Sequence, residues 1–126
     1  MITGIGVDIV QIPRIEKLLQ VKEEALLERI LDESEANYFK ALASHKKAAF
    51  LAKRFAAKEA ISKAIGTGIR GELSFKKIII SNDINGKPLA LIDLPKYKDL
   101  AIHLSLSDDY PSAIAYCIIE EKKGGG

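Results

Sequence analysis

FLAKRFAAKEAISKAIGTG, residues 50–68, is the stretch from which the rest of the chain is read. Alanine is frequent and neither Gly nor Pro occurs between residues 45 and 65, which predicts a helix of roughly five or six turns at about 3.6 residues per turn. Gly66 and Gly68 end it. At about 100° per residue, Phe50, Ala57, Ile61, Ala64 and Ile65 share an apolar face suited to packing on a sheet. Ala52, Ala56, Glu59 and Lys63 form a neighbouring stripe, in which two small residues leave open space before an acid and a base one turn apart. Such a stripe can hold a ligand. The plainer reading is a surface ion pair worth roughly 0.3–0.5 kcal/mol.

Towards the amino terminus, residues 2–10 alternate Ile5, Val7 and Ile9 with Gly4, Gly6 and Asp8, the pattern of a strand. Gly4 and Gly6 remove side chains from the face that Asp8 shares, so something bulky can approach the backbone there. Asp8 itself is either a solvated strand-end acid or a ligand. Pro13 opens a helix to about Val21 with Ile15, Leu18 and Leu19 apolar and Arg14 and Lys17 exposed, which puts Arg14 beside whatever Asp8 binds. A second helical piece covers residues 23–30, and Ser34 with Asn37 three residues on starts a short helix ending before Ser44. His45, Lys46 and Lys47 then place cations at the start of the long helix, where its dipole disfavours them, and Lys53 and Arg54 extend the run. This is either a solvated basic face or a phosphate-binding surface.

Beyond the helix, Gly66, Thr67 and Gly68 offer amides and a hydroxyl to a polar ligand, although a glycine cap explains the same residues. Residues 74–81 and 89–93 read as strands joined by residues 82–88, with Asn85-Gly86 at the turn. His103 begins an alternating strand, residues 103–107, and Asp108 to Pro111 turn the chain. The apolar run 113–119 implies a strand covered on both faces, in part by another copy of the chain. The order of elements predicts an α+β domain with the long helix packed on a largely antiparallel sheet.

A length of 126 residues suits one domain, taken as residues 1–121 with residues 122–126 as a tail. A formal net charge of +2 gives no general case for nucleic-acid or membrane binding. The single cysteine, Cys117, excludes an internal disulfide and, with two histidines, a cysteine-rich zinc site. A reducing cytoplasm fits this usage, and the start MITGIGVDIV lacks the features of a signal peptide.

Asp8, Glu59 and Lys63 together suit metal-assisted phosphate chemistry. Two carboxylates are a common protein contribution to Mg²⁺, which fills its remaining octahedral positions with water and substrate phosphate. The same groups would serve water as nucleophile in a pyrophosphohydrolase, and the basic first helix alone would serve a non-catalytic module that binds an acidic helix.

At these residues the chain resembles the holo-acyl-carrier-protein synthases, the short bacterial 4′-phosphopantetheinyl transferases. GIGVDIVQIPRIE, FLAKRFAAKEAISKAIGTGIRG, SFKKIIISNDINGKP and HLSLS occur in the family's order and at similar spacing over nearly the whole chain. The resemblance implies the 4′-phosphopantetheinyl transferase-like fold, Mg²⁺ held by Asp8 and Glu59, and coenzyme A as donor. It also implies transfer of phosphopantetheine to a serine of an apo-acyl carrier protein for fatty acid biosynthesis, release of 3′,5′-ADP, and a homotrimer with sites between protomers. Carried over residue by residue, Lys63 would contact the pyrophosphate. Gly66, Thr67, Gly68 and His103 would also face the donor. Lys47, Arg54 and, from a neighbouring subunit, Asn85, Gly86, Lys87 and Pro88 would hold the adenosine and its 3′-phosphate. Arg14 and the first helix would receive the acidic carrier. Many relatives have a histidine directly after Ser-Leu-Ser. Here Asp108 stands there, leaving Asp108, Glu59 or a metal-bound water to accept the serine proton.

Overall fold

The computed structural model describes residues 1–122; of the expected tail, residues 123–126 lie outside the described residues. The chain runs β1 (Ile2–Gln11), α1 (Ile12–Ile30), α2 (Glu33–Ala41), α3 (Ser44–Ile65), β2 (Ile78–Asn82), β3 (Pro88–Ile92), β4 (Leu100–Asp109) and β5 (Ser112–Glu121). β1, β5 and β4 form an antiparallel sheet in that order, and β2 and β3 form a separate antiparallel hairpin. This is the expected α+β arrangement, with α3 across the three-stranded sheet.

Period-two side-chain alternation decides which face meets α3. The register aligns Gly6 with Cys117 and Leu104, and Asp8 with Ala115 and Leu106, on the inner face. The reason for Gly4 and Gly6 is steric. A Cβ at Gly4 would overlap the Ala64 carbonyl oxygen, and one at Gly6 would overlap that of Ala60. The bulky object expected near these glycines is therefore α3 itself. Ala52, Ala56, Ala57, Ala60 and Ile61 on α3 are fully buried by this close approach. Ala52 and Ala56 do not leave open space for a ligand, because the sheet and helix occupy it. Burial among these groups pushes the Cys117 thiol up to about 12, so it is a packing residue with little thiolate at neutral pH.

α1 is two pieces, as its sequence suggests. Lys22 leaves the helical region (φ −150°, ψ 52°) and separates a segment carrying Arg14 from one ending at Ile30. α2 is capped by Asp32 rather than Ser34: the Asp32 carboxylate accepts the Glu35 N–H at 2.9 Å, and Glu35 Oε1 accepts the Asp32 N–H at 3.0 Å. Residues 75–77 form a 3₁₀ turn instead of the strand start expected from residue 74. The turn expected at Asp108 begins two residues later, since Asp108 and Asp109 pair with Ala113 and Ser112. Lys122, expected to be the first residue of the tail, donates its backbone N–H to the Asp99 carbonyl at 2.8 Å.

β5 is not covered on both faces within one chain. Its inner residues Ala113, Ala115, Cys117 and Ile119 are buried, whereas Ile114 and Tyr116 are exposed beside Ile5, Val7 and Ile9 of β1. The mean periodicity of a continuous apolar run conceals this difference, because it marks burial in the assembled state as readily as in the monomer.

Candidate active site

Asp8 reaches α3 because it is on the glycine face of β1, just beyond the two positions where strand and helix backbones touch. Lys63 donates to Asp8 Oδ1 at 2.9 Å and to the Val7 carbonyl at 3.2 Å. The Asp8 side chain is 17% exposed and that of Lys63 52%, so the acid is held and the ammonium is free to swing. Glu59 lies one turn before Lys63. Burial and then the Asp8 charge raise its pKa above the usual carboxylate range, with Lys63 and Arg29 opposing. Two acids far apart in sequence thus face each other electrostatically. Glu59 also lines the cleft of about 440 Å³ between α1 and α3, with Arg14, Lys22 and Arg29 as cations and Val10, Ile15 and Phe55 among its apolar walls.

Other expected residues lie elsewhere. Arg54 is five residues before Glu59, about 140° away around the helix at about 100° per residue. Its guanidinium contacts α2 and β2: Nε lies 3.3 Å from Glu35 Oε2, and Nη2 donates to Asn82 Oδ1 at 3.3 Å. Lys47 sits on the Phe39 ring at 5.2 Å on the same side. Asn82 Nδ2 in turn donates to the Gly86 carbonyl at 2.9 Å, so Arg54 and the Asn85–Pro88 turn are linked within one chain, where a turn from a neighbouring subunit was expected. That linked group does not meet Asp8, Glu59 and Lys63 within this chain. Asp108, on the inner face of β4, pairs with Lys53 at 2.9 Å on another flank of α3. His103 is on the outer sheet face, 3.0 Å from Glu120 Oε1, so it is a hydrogen-bonded strand residue away from the acids. The amides of Gly66 and Gly68 both donate to the Ser62 carbonyl, at 3.1 and 3.2 Å, and Thr67 Oγ1 donates to the Gly68 carbonyl. Gly66, at φ 97°, caps the helix, and the two glycine amides are engaged with its last turn rather than free for a ligand.

Sequence reasoning missed Glu35, Lys58, Asn82 and Arg29. Lys58 is fully buried and donates to Glu35 Oε1 at 2.6 Å, to the Ile30 carbonyl at 2.7 Å and to the Phe75 carbonyl at 3.0 Å. Its three donors join α1, α2 and α3 to the turn before β2. The available signal for Glu35 was Asp32-x-x-Glu35, a capping-box spacing two residues before the Ser34 and Asn37 pair.

The sequence model of the 4′-phosphopantetheinyl transferase superfamily matches residues 4–116. The chain belongs to that superfamily. It is 51% identical over 120 residues to a holo-[acyl-carrier-protein] synthase of Geobacillus sp., covering 95% of this chain and 98% of the relative. The solved holo-(acyl-carrier-protein) synthase of Bacillus anthracis in complex with CoA (3′,5′-ADP) superposes with a TM-score of 0.87 at 43% identity, covering 97% of this chain and 99% of that one. The Neisseria meningitidis synthase gives 0.86 at 40% identity, with coverage of 96% and 100%. The Helicobacter pylori synthase in complex with coenzyme A gives 0.82 at 38%, with coverage of 92% and 99%. Within this transferase fold, Glu59 with Asp8, and Arg54 with Asn82, lie on different sides of the same helix.

Proposed function

We propose that this protein transfers the 4′-phosphopantetheine group of coenzyme A to a serine of an apo-acyl carrier protein, releasing 3′,5′-ADP and giving the holo-carrier used in fatty acid biosynthesis. The observation that carries this reading is the Asp8–Lys63 pair, whose two charges both act on Glu59, the acid that lines the α1–α3 cleft.

The donor set fits Mg²⁺. Burial and then the Asp8 charge raise the cost of ionising Glu59, and a hard cation held by both acids would relieve it. No group of three or more His, Cys, Asp or Glu side chains gathers among the described residues, which suits an ion completed by water and substrate phosphate rather than an all-protein cage. Bound by Asp8 and Glu59, Mg²⁺ would supply positive charge to the pyrophosphate oxygens. Lys63, half-exposed, would turn its ammonium from Asp8 to the pyrophosphate. The carrier serine Oγ attacks the β-phosphorus, the bond to the bridging oxygen breaks, and 3′,5′-ADP leaves. The serine proton passes to Glu59, to a water on the metal or to Asp108; Asp108, paired with Lys53 across α3, would reach the same centre only from another copy. Arg14 and Lys22 on the cleft rim would meet the acidic carrier, an encounter that weakens with salt.

The remaining parts require an assembly. Ile5, Val7, Ile9, Ile114 and Tyr116 present an apolar face that further copies of the chain would cover, and a homotrimer would bring the Arg54 half-site of one copy to the acids of the next. The adenosine end of the donor would then lie against Lys47, Arg54 and the Asn85–Pro88 turn. A cytoplasmic location suits a coenzyme A-dependent enzyme with one buried thiol.

The test is to incubate the protein with apo-carrier, coenzyme A and Mg²⁺ and weigh the carrier. A mass increase of one phosphopantetheine is expected. An unchanged carrier mass, or pyrophosphate hydrolysis that needs no carrier, would overturn the assignment.

A further inference from the structure

Glu35 and Lys58 have no role in the reading above, yet they are among the most deeply buried side chains in the protein. The Glu35 carboxylate faces two buried cations at once, Lys58 Nζ at 2.6 Å from Oε1 and Arg54 Nε at 3.3 Å from Oε2. It also accepts the N–H groups of Asp32 and Ile80. Lys58 is fully satisfied by its three acceptors. Arg54 is not: its buried Nε is close to Glu35 but is not aligned for a hydrogen bond. Among the buried groups one carboxylate therefore faces two cations, with the partly buried Asp32 acting on both from beyond it, and the guanidinium is the less completely hydrogen-bonded of the two. That guanidinium is stacked 4.7 Å over the Phe50 ring and lines a cavity of about 220 Å³ with Ser34, Tyr38 and Asn82.

The arrangement continues outward. Arg54 Nη2 donates to Asn82 Oδ1, and Asn82 Nδ2 donates to the Gly86 carbonyl. Asp83 Oδ1 then accepts the N–H groups of Asn85 and Lys87, which closes the turn. A buried ion pair kept only for stability is readily replaced by apolar groups of the same volume. A guanidinium that is buried, held by a carboxylate on one side and an amide on the other, and left with donors to spare is instead what a preorganised anion site requires.

We infer that Glu35 is a positioning residue: it fixes the Arg54 guanidinium against Asn82, beside the residue 83–87 turn, so that the guanidinium stands ready for the 3′-phosphate of the donor. This rests on the proposed placement of the adenosine end against Arg54 and that turn. Glu35 touches no substrate. It acts through Arg54, and Lys58 holds Glu35 in place from the other side.

Steady-state kinetics with coenzyme A and with dephospho-coenzyme A, which lacks the 3′-phosphate, test it. Glu35→Gln keeps the shape and an acceptor for Lys58, and is expected to raise KM for coenzyme A about tenfold with kcat within about twofold. KM for dephospho-coenzyme A should not move. Arg54→Gln should show the same selectivity, and the double variant should be no worse than Arg54→Gln alone, because both act on one contact. Asn82→Ala interrupts the chain at an exposed position, leaves the buried cluster intact, and should raise KM for coenzyme A selectively; it carries the test if Glu35→Gln does not fold. An Arg54→Gln variant with unchanged KM for coenzyme A would overturn the placement of the adenosine end and this inference with it. A selective rise for Arg54→Gln without one for Glu35→Gln or Asn82→Ala would overturn this inference alone. So would equal losses with both donors, or effects of Glu35→Gln and Arg54→Gln that multiply.

Discussion

Glu59→Gln is expected to lower phosphopantetheine transfer by about a thousandfold while leaving the fold intact, and Asp8→Asn to do the same. Each substitution removes one of the two carboxylates proposed to hold the metal against the donor. Several kcal/mol of charge stabilisation in a phosphoryl-transfer step correspond to about two to four orders of magnitude in rate. The structural cost runs the other way. Glu59 is held above the ordinary carboxylate range, first by burial and then by Asp8, so the folded state already disfavours its charge. Removing that charge does not destabilise the protein. Asp8→Asn loses the pair with Lys63, which is half-exposed on the lysine side and worth less than about 1 kcal/mol. Thermal melts of both variants should therefore overlay the wild type within a few degrees, while single-turnover transfer collapses. Retention of more than about a tenth of the activity by either variant would remove it from the proposed metal site.

Gly6→Ala is expected to cost about 3 kcal/mol or more, a large share of the stability of a domain of this size. The added methyl would overlap the Ala60 carbonyl oxygen and lie 2.9 Å from the Ala64 amide nitrogen, both backbone atoms of α3 that no rotamer change can move. Relief requires β1 to withdraw from the helix, which opens the contact on which the inner face of the sheet closes. The same withdrawal takes Asp8, two residues on, away from Glu59 and Lys63. Stability and activity should thus fall together, unlike in the acid variants. Urea unfolding provides the measurement. A Gly6→Ala protein with an unchanged midpoint would mean that strand and helix do not touch at this point.

Most of the architecture was legible in the sequence because it follows from local rules. The long helix, its glycine end, the alternation in β1 and the Asn85-Gly86 hairpin need only periodicity and turn chemistry, and each is present. The break in α1 at Lys22 falls between the two helical pieces expected there. Long-range partners were not legible. Gly4 and Gly6 announced a close approach without saying that α3 makes it, and Ala52 and Ala56 look the same whether they face a ligand or a sheet. The acids of the proposed site were picked out through their motifs. Arg54 was picked out too, but the side of the helix it faces depends on Asn82, which carries no motif, and on Glu35, whose capping-box spacing says nothing of Arg54. Lys58 reads as a surface cation by type, and only the fold shows that three acceptors enclose it.

Binding of Mn²⁺, followed by electron paramagnetic resonance in the presence of coenzyme A, tests most directly whether Asp8 and Glu59 act as one site for a divalent ion. One bound ion per chain is expected, with phosphorus coupling from the pyrophosphate, competition by Mg²⁺, and affinity weakened by at least about tenfold in both Asp8→Asn and Glu59→Gln. Wild-type affinity in either variant, or a bound ion without phosphorus coupling, would contradict the account.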